Sequence, residues 1–267
     1  MGFYLTIIRV LVVGSALLAT NAYAEAKDDA LLILEQLGFK RLVSDVPEIL
    51  QNSISQRRKE TGLSEEQYQR VLALYTKAYA PQDILDSLAL AVSKKVSSQD
   101  LSTLKNLLAT EQAQQLQALR EQAAGEQGIA AIRELAKAHQ SEPVSKNRQT
   151  LLETFDEAAA DTEFFIAMQA LTVYGIMRGF NTLGKNAAEN NTGPDALLQL
   201  IYEQLQRPTR YTIAMTLRYT FRELDDQEVM GYVQLYRFAP LHQFLVHTME
   251  QLRLDMLRRA SLVKREL

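Results

Sequence analysis

The 267-residue chain has no cysteine and no tryptophan, and it contains only 3 histidines, 6 prolines and 11 glycines. The lack of cysteine excludes disulfide bonds, catalytic thiols, iron–sulfur clusters and the acylated cysteine of a lipoprotein. Because proline and glycine interrupt helices, their rarity favours long helical segments. A chain without disulfides depends on its hydrophobic core for stability.

The composition is that of a globular helical protein. Hydrophobic residues make up 47% of the chain and charged residues 23%, so the chain can bury a core and is not disordered. The formal net charge is −3. This mild acidity lacks the basic footprint of nucleic-acid-binding proteins, so we expect no nucleic-acid partner.

The first 24 residues predict a signal peptide. Arg9 ends a short start without acidic residues, and residues 10–19 form an apolar run. Ala22-Tyr23-Ala24 is a small-x-small cleavage site. The run is too short to favour a transmembrane anchor. We therefore expect cleavage between Ala24 and Glu25, and a mature protein that is periplasmic or secreted.

Capping residues, proline and glycine mark the helix boundaries. Hydroxyl or carboxylate caps begin helices, proline favours the first helical turn, and glycine favours the residue after a helix. These signals predict a helix end at Gly38 and helix starts at Ser64, Pro81, Ser97 and Asp225. Residues 139–149 are polar, contain Pro143 and read as a link between two halves.

Two stretches of the chain match each other at an offset of 128 residues. In the first, one helix is expected to begin after Ser97 and to carry Leu101, Leu104, Leu107, Leu108 and Leu116 at helical spacing. In the second, the matching positions after Asp225 are Val229, Tyr232, Leu235, Tyr236 and Phe244. Two copies of a helical unit explain the match. The alternative is a coincidence between two capped amphipathic helices.

The fold predicted from these patterns is an all-α helical bundle built from two related multi-helix halves. Its expected parts are a signal peptide (1–24), a first repeat unit (25–140), a linker (141–149) and a second repeat unit (150–267), with both units packed as one compact domain. One segment conflicts with this fold: Tyr211–Phe221 alternates apolar and polar residues, as strands do. Because a lone strand cannot satisfy its backbone, we predict a helix there, with a strand as the alternative.

The second stretch resembles a known family. Residues 224–229 (Leu-Asp-Asp-Gln-Glu-Val), followed by residues 235–240 (Leu-Tyr-Arg-Phe-Ala-Pro), are similar to the exported bacterial "domain of unknown function 2059" family. The match is best in the second half and weak in the first. The serine and glycine that the family carries in this turn are absent from residues 238–241. The resemblance implies an exported helical protein, and no functional residues follow from it.

Carboxylates form the first candidate for chemistry. Glu153, Glu157 and Asp161 recur every four residues, with Asp156 and Glu163 beside them. Two carboxylates whose pKa values are split by their surroundings can catalyse hydrolysis. The helix dipole also favours acidic residues near a helix start, so a solvated acidic face is the preferred interpretation.

Two other motifs lack the neighbouring residues that their functions require. Residues 179–186 match the phosphate-loop spacing up to Lys185, but Asn186 replaces the hydroxyl that would hold Mg²⁺, and the preceding segment reads as a helix. His242 and His247 are five residues apart and do not share a helix face. We therefore predict no catalytic, cofactor-binding or metal-binding residue.

The C-terminal segment predicts a basic helix. Its cations are Arg253, Arg258, Arg259, Lys264 and Arg265. Its apolar residues are Leu252, Met256, Leu257 and Val263. Such a helix could rest on anionic lipid. The preferred interpretation is a final packed helix whose cations lie where its dipole favours them.

Small residues and aromatic residues are expected mainly in the core. Gly175 and Gly179 permit close packing on a helix, with membrane association of Phe164–Phe180 as the alternative. Aromatic residues cluster late in the chain, where some could line an apolar cavity between the halves. They are Tyr202, Tyr211, Tyr219, Tyr232, Tyr236, Phe238 and Phe244.

The sequence as a whole favours a non-catalytic periplasmic protein that binds an unknown protein or an apolar small molecule. This interpretation depends on the amphipathic helices and on the lack of a catalytic set. The first alternative is a hydrolase that uses Glu153, Glu157 or Asp161. The second is a membrane-peripheral protein that uses its basic C-terminal helix.

Overall fold

A computed structural model of the chain describes residues 24–138, 144–180 and 193–267. Within these residues, every regular element is a helix and there is no strand, which confirms the predicted all-α fold. Helix α1 spans residues 24–36. The helices that follow are α2 (Phe39–Ser44), α3 (Val46–Thr61), α4 (Glu65–Ala78), α5 (Pro81–Val92), α6 (Ser98–Leu108), α7 (Glu111–Ala124), α8 (Glu126–Ala138), α9 (Lys146–Ala159), α10 (Asp161–Phe180), α11 (Pro194–Thr220), α12 (Asp226–Arg237) and α13 (Ala239–Glu266). The signal peptide, up to residue 23, and the first three residues of the predicted linker (141–149) lie outside the described residues. Residues 146–149 of that linker form the first turn of α9 instead.

The predicted helix boundaries are confirmed where a local cap sets them. Ser64 accepts a hydrogen bond from the backbone N–H of Gln67, whose side chain accepts from the N–H of Ser64 at 3.0 Å. Asp225 and Glu228 make the same reciprocal capping box at the start of α12. Gly38 follows α1 with a φ of 90°, a left-handed conformation that favours glycine. These contacts lie within four residues, so the sequence alone reveals them.

The single helix predicted from Ser97 to Leu116 is wrong, because it is two helices. Helix α6 ends at Leu108, and the Thr110 side chain accepts a hydrogen bond from the N–H of Ala113 to begin α7. A hydroxyl cap therefore interrupts a run with continuous helical spacing. At the matching position in the second half, α12 ends and α13 begins at Ala239. The starts of α7 and α13 thus keep the offset of 128 residues, while the common origin of the two halves stays a prediction.

The segment Tyr211–Phe221 is helical, as predicted, and its alternating threonines fit the helix. It forms the last turns of α11, with Phe221 as the C-cap residue. The hydroxyl of Thr216 donates to the carbonyl of Thr212 at 2.9 Å, and that of Thr220 donates to Thr216 at 2.8 Å. Each of these hydroxyls therefore has its hydrogen-bond acceptor within the helix. The polar threonines, whose alternation with apolar residues suggested a strand, are thus compatible with a helix.

Helix α10 lies at the centre of the core. It packs against α2, α3, α9, α11 and α13, and most of its side chains are buried. Helices from both predicted halves therefore cover it. Among the described residues, no helix has the length and apolar character needed to cross a membrane. The prediction that Phe164–Phe180 packs in the core is confirmed.

The two glycines of α10 make room for two tyrosines. A Cβ atom on Gly175 would overlap the hydroxyl of Tyr79, and one on Gly179 would overlap the hydroxyl of Tyr75. The Tyr75 hydroxyl donates to the carbonyl of Gly175 at 2.9 Å, whereas the buried Tyr79 hydroxyl has no hydrogen-bond partner among the described residues. Burial raises the pKa of both phenols. The spacing of the glycines thus reflects close packing of α4 on α10.

A buried ion pair on α13 holds the turn between α4 and α5. Nε of Arg259 donates to Oδ2 of Asp255, and both side chains are 7% exposed. The guanidinium also donates to the carbonyl of Ala78, the last residue of α4, and to the carbonyl of Asp83 at 2.8 Å. Oδ1 of Asp255 accepts from Ser87 at 2.8 Å. One arginine therefore ties α13 to two helices that lie about 180 residues earlier in the chain.

Replacement of Arg259 is expected to destabilise the protein strongly. We expect Arg259→Leu to lower the free energy of unfolding by about 3 kcal/mol, because Oδ2 of a buried carboxylate and two carbonyls lose their donor. The neighbouring substitution Arg258→Leu removes a 61% exposed cation that donates to Oδ1 of Asp255 at 2.6 Å; because Ser87 still donates to that oxygen, it should cost less than about 1 kcal/mol. Urea unfolding at neutral pH measures both values. Equal losses for the two variants would contradict the role assigned to Arg259.

The two buried tyrosines should respond differently to the loss of a hydroxyl. Tyr75→Phe removes a buried hydrogen bond and is expected to lower the free energy of unfolding by about 1 kcal/mol. Tyr79→Phe removes a buried hydroxyl that has no partner, so stability should stay the same or rise. Thermal unfolding of the matched pair checks this expectation. It fails if Tyr79→Phe is the more destabilising change.

Candidate functional site

The predicted carboxylate stripe does not form a cleft. Glu153 and Glu157 are exposed on α9, and Glu153 accepts a hydrogen bond from Gln149 at 2.9 Å. Asp161 is partly buried and pairs with Arg120 of α7 at 2.7 Å. Two of the three carboxylates thus lie on a solvated face, and the third has a structural cation. The three side chains do not converge on one point where a substrate could bind.

Asp156 is the carboxylate whose surroundings differ most from water. Its two oxygens accept hydrogen bonds from the backbone N–H of Thr162 at 2.9 Å and from the Thr162 hydroxyl at 2.7 Å. Burial raises the pKa of Asp156 to about 6; the bonds from Thr162 oppose this shift, and the negative charges of Asp161 and Glu163 add to it. The sequence gives a hint that Asp156 is partly buried: it lies one helical turn after Leu152, on the side of α9 that packs in the core.

Arg120 connects this carboxylate group to two aromatic rings. Its guanidinium carbon lies 5.5 Å from the ring centre of Phe155 and 5.3 Å from that of Tyr236. Burial acts to lower the pKa of Arg120, but the adjoining Asp161, Tyr236 and Asp156 together raise it. Helices α7, α9, α10 and α12 therefore meet at one polar cluster, which consists of Arg120, Asp156, Asp161, Thr162 and Tyr236.

The polar cluster has the elements of an acid–base pair but uses them for structure. A carboxyl group with a pKa of about 6 beside an ionised carboxylate is a known arrangement for proton transfer. Here, both oxygens of Asp156 accept bonds from Thr162, in the first turn of α10. Asp161 pairs with Arg120. The contacts are those of a helix cap and an ion pair.

The two described histidines, His242 and His247, form no site among the described residues, and most of the phosphate-loop motif lies outside them. His242 is exposed on α13, and Nδ1 of His247 lies 3.6 Å from Oε2 of Glu250. In the part of the chain that the structure describes, no group of three or more histidine and acidic side chains could hold a metal ion. Gly179 and Phe180 belong to α10, while the rest of the phosphate-loop motif, residues 181–186, lies outside the described residues.

The C-terminal helix differs from the basic surface considered above. Arg259 is buried, so it does not belong to a lipid-facing surface. Leu252, Met256 and Val263 are also buried in the core rather than forming an outer apolar edge. The cations that do lie on the surface of α13 are Arg253, Arg258, Lys264 and Arg265. Membrane contact through these four residues is an expectation that the fold leaves untested.

Three of the seven late aromatic residues lie in the core, and two of them, Tyr232 and Tyr236, pack on Phe155 and Phe221. Ring centres of Phe155 and Phe221 lie 4.8 Å apart, those of Phe155 and Tyr236 5.4 Å, and those of Phe221 and Tyr232 5.9 Å. Tyr232, Tyr236 and Phe244 are buried, as expected for core residues. Two members of the group differ, because Tyr211 is 46% exposed and Phe238 is 40% exposed.

Helices α8 and α11 carry part of the apolar surface that the core leaves uncovered; other exposed large apolar side chains lie on α1, α5, α12 and α13. On α8, Gly128 is the single buried residue, although the helix has a clear apolar side. Ile129 of α8 is 39% exposed, and Leu200 of α11 is 48% exposed. The hydroxyl of Tyr211 donates to the carbonyl of Ala136 at 3.0 Å and so joins the two helices. We define the α8–α11 surface by Ile129, Leu200 and Tyr211.

Comparison with known proteins adds no family to these observations. No protein-family model matches the chain, and neither does a curated protein or a solved structure. The resemblance to the "domain of unknown function 2059" family therefore stays a prediction. The α8–α11 surface and the polar cluster are the two features on which a function can be based.

The pKa of Asp156 predicts a pH-dependent effect of Asp156→Asn. The folded protein holds this proton more tightly than the unfolded chain, so the stability that protonation provides is complete below about pH 4 and is lost as the pH rises through about 6. An asparagine removes the charge, and its Oδ1 still accepts from the backbone N–H of Thr162, while its amide N–H₂ donates to the Thr162 hydroxyl instead of accepting from it. Since Asp156 is partly exposed, we expect a gain in the free energy of unfolding of about 1 kcal/mol at pH 7.5 and none at pH 4.

Urea unfolding at the two pH values tests this expectation. Glu157→Gln is the matched control, since it removes an exposed carboxylate from the same helix and should show no such dependence on pH. A gain for Asp156→Asn that is the same at both pH values would show that the ionised carboxylate is not the cause.

Proposed function

We propose that the protein is an exported, non-catalytic interaction protein that binds its partner through the α8–α11 surface. The sequence supports export through the apolar run of residues 10–19 and the cleavage site that ends at Ala24. The observation that carries the interaction is the exposure of α8, an amphipathic helix whose apolar side chains are all at least partly accessible. Exposed apolar side chains grouped on neighbouring helices are typical of binding surfaces.

The way in which α8 packs suits a binding role. It rests on α7 and α11, and within it the side chains of Ile132 and Leu135 are only partly covered. Burying this surface against a partner would recover hydrophobic free energy, at roughly 25 cal/mol per Å² of apolar area. The helix is already ordered in the folded protein, so binding needs little further loss of conformational entropy.

The hydrolase is the second candidate, and one observation favours it. The raised pKa of Asp156 beside the paired Asp161 is the arrangement that acid–base hydrolysis requires. It ranks second because Thr162 occupies both oxygens of Asp156. Asp156→Asn separates the two proposals. It should abolish a hydrolase and leave an interaction protein fully competent.

Site-specific crosslinking in living Gram-negative cells tests the interaction proposal. A photoreactive amino acid replaces Ile129 or Leu200 in the full chain, and matched controls carry it at Lys59 and Glu66, two exposed positions on α3 and α4. We expect adducts from the first pair and none from the controls. Adducts from no position, or from all four equally, would contradict binding at the α8–α11 surface. Mass spectrometry of the purified chain reports export, which predicts Glu25 as the first residue.

A further inference from the structure

The second half of α11 is basic in a protein that is acidic overall. Between residues 204 and 222 the chain has four arginines and no aspartate or glutamate, whereas the net charge of the whole chain is −3. The four are Arg207, Arg210, Arg218 and Arg222. Arg207 and Arg210 are exposed, and neither forms an ion pair with another described residue. Both guanidinium groups are therefore open to water and to an anionic partner.

These cations share one face of α11 with the exposed apolar side chains. Leu200, Arg207 and Tyr211 are separated by seven and four residues, which places them in one row along a helix. The exposed Glu203 lies in the same row, one turn before Arg207, so the positive charge is concentrated at Arg207 and Arg210. Arg210 lies immediately beside this row. Leu200 and Tyr211 are 48% and 46% exposed, respectively. The row is about 16 Å long, at roughly 1.5 Å per residue.

The mixture of side chains in this row fits a lipid surface. Guanidinium groups bind phosphate through paired hydrogen bonds, and a tyrosine ring occupies the boundary between headgroups and acyl chains. A leucine between them can enter the apolar layer. We propose that the outer face of α11 contacts the anionic phospholipids of a membrane surface. An acidic protein would complement the arginines, but the long row along one helix matches a planar partner better than a pocket.

This inference deepens the proposed function and depends on the α8–α11 surface being the binding surface. It also relocates the membrane contact that the sequence suggested. On α13, Leu252, Met256 and Val263 are buried, but Val246, Leu254 and Leu262 are 45%, 61% and 37% exposed, so that helix also presents apolar side chains beside its surface cations and has to be tested as the competing surface. On α11, cations and apolar side chains are exposed together. Binding should be reversible and sensitive to salt, because two arginines and two apolar side chains form a small contact.

Flotation with lipid vesicles tests the inference on the full chain purified from cells. Vesicles of equal parts phosphatidylglycerol and phosphatidylcholine are compared with pure phosphatidylcholine, at about 50 mM and about 500 mM salt. We expect the protein to float only with the anionic vesicles and only at low salt. The double variant Arg207→Glu/Arg210→Glu should lose at least about 10-fold in binding. Leu200→Ser should also weaken binding, at unchanged net charge.

Two control variants make the test specific. Arg70→Glu/Arg237→Glu changes the net charge by the same amount on exposed positions of α4 and α12, and it should float nearly as well as the parent protein. Arg258→Glu/Arg265→Glu tests the surface of α13. If either control loses as much binding as the α11 variant, or if the parent protein does not float, the inference is wrong. Thermal unfolding confirms that each variant is folded.

The outcomes also separate this inference from the proposed function. If the protein does not float but crosslinks to a protein from Ile129 and Leu200, the partner is a protein, so the lipid inference fails while the proposed function stands. If flotation and crosslinking are both absent, both proposals fail. Flotation that is lost with Arg207→Glu/Arg210→Glu and Leu200→Ser supports both.

Discussion

The buried pair of Arg259 and Asp255 is the contact on which the arrangement of α13 depends. A charged pair in a core is stable only when further hydrogen bonds satisfy both groups, and here the carbonyls of Ala78 and Asp83 and the hydroxyl of Ser87 do so. These partners fix the position of α13 along α4 and α5 to within one hydrogen-bond length. Hydrophobic packing alone does not specify such a register, because neighbouring leucines are nearly interchangeable.

The sequence predicted the features of the fold that depend on short-range contacts. The caps at Ser64 and Asp225 and the proline at position 81 act within one helical turn, so they were readable from the sequence. The break at Thr110 was missed because the leucine spacing continues across it. Sequence patterns also could not distinguish Arg258 from Arg259. Only the carbonyls contributed by α4 and α5 decide which of the two adjacent arginines is buried.

The candidate sites also divide into features that the sequence reveals and features that only the packing of the helices decides. The acidic stripe was visible in the sequence, but the carboxylate of this group whose pKa burial raises is Asp156, which lies beside the stripe. The amphipathic character of α8 was readable in principle; its exposure was not, because exposure depends on which helix packs against it. The basic residues of α11 were not predicted to form a surface. The alternation of Tyr211–Phe221 bears on secondary structure and gives no information about which charged side chains stay exposed.

The position of α13 in the chain has a consequence for the order in which the protein is made. Helix α13 comes after every helix that it packs against, including the central α10. During synthesis, the apolar surface of α10 that packs on α13 therefore stays uncovered until the ribosome has added α13. The core cannot be completed before then. Until α13 has been made, the faces of α4, α5 and α10 that it covers remain exposed to solvent. The connectivity of the bundle thus delays its own folding.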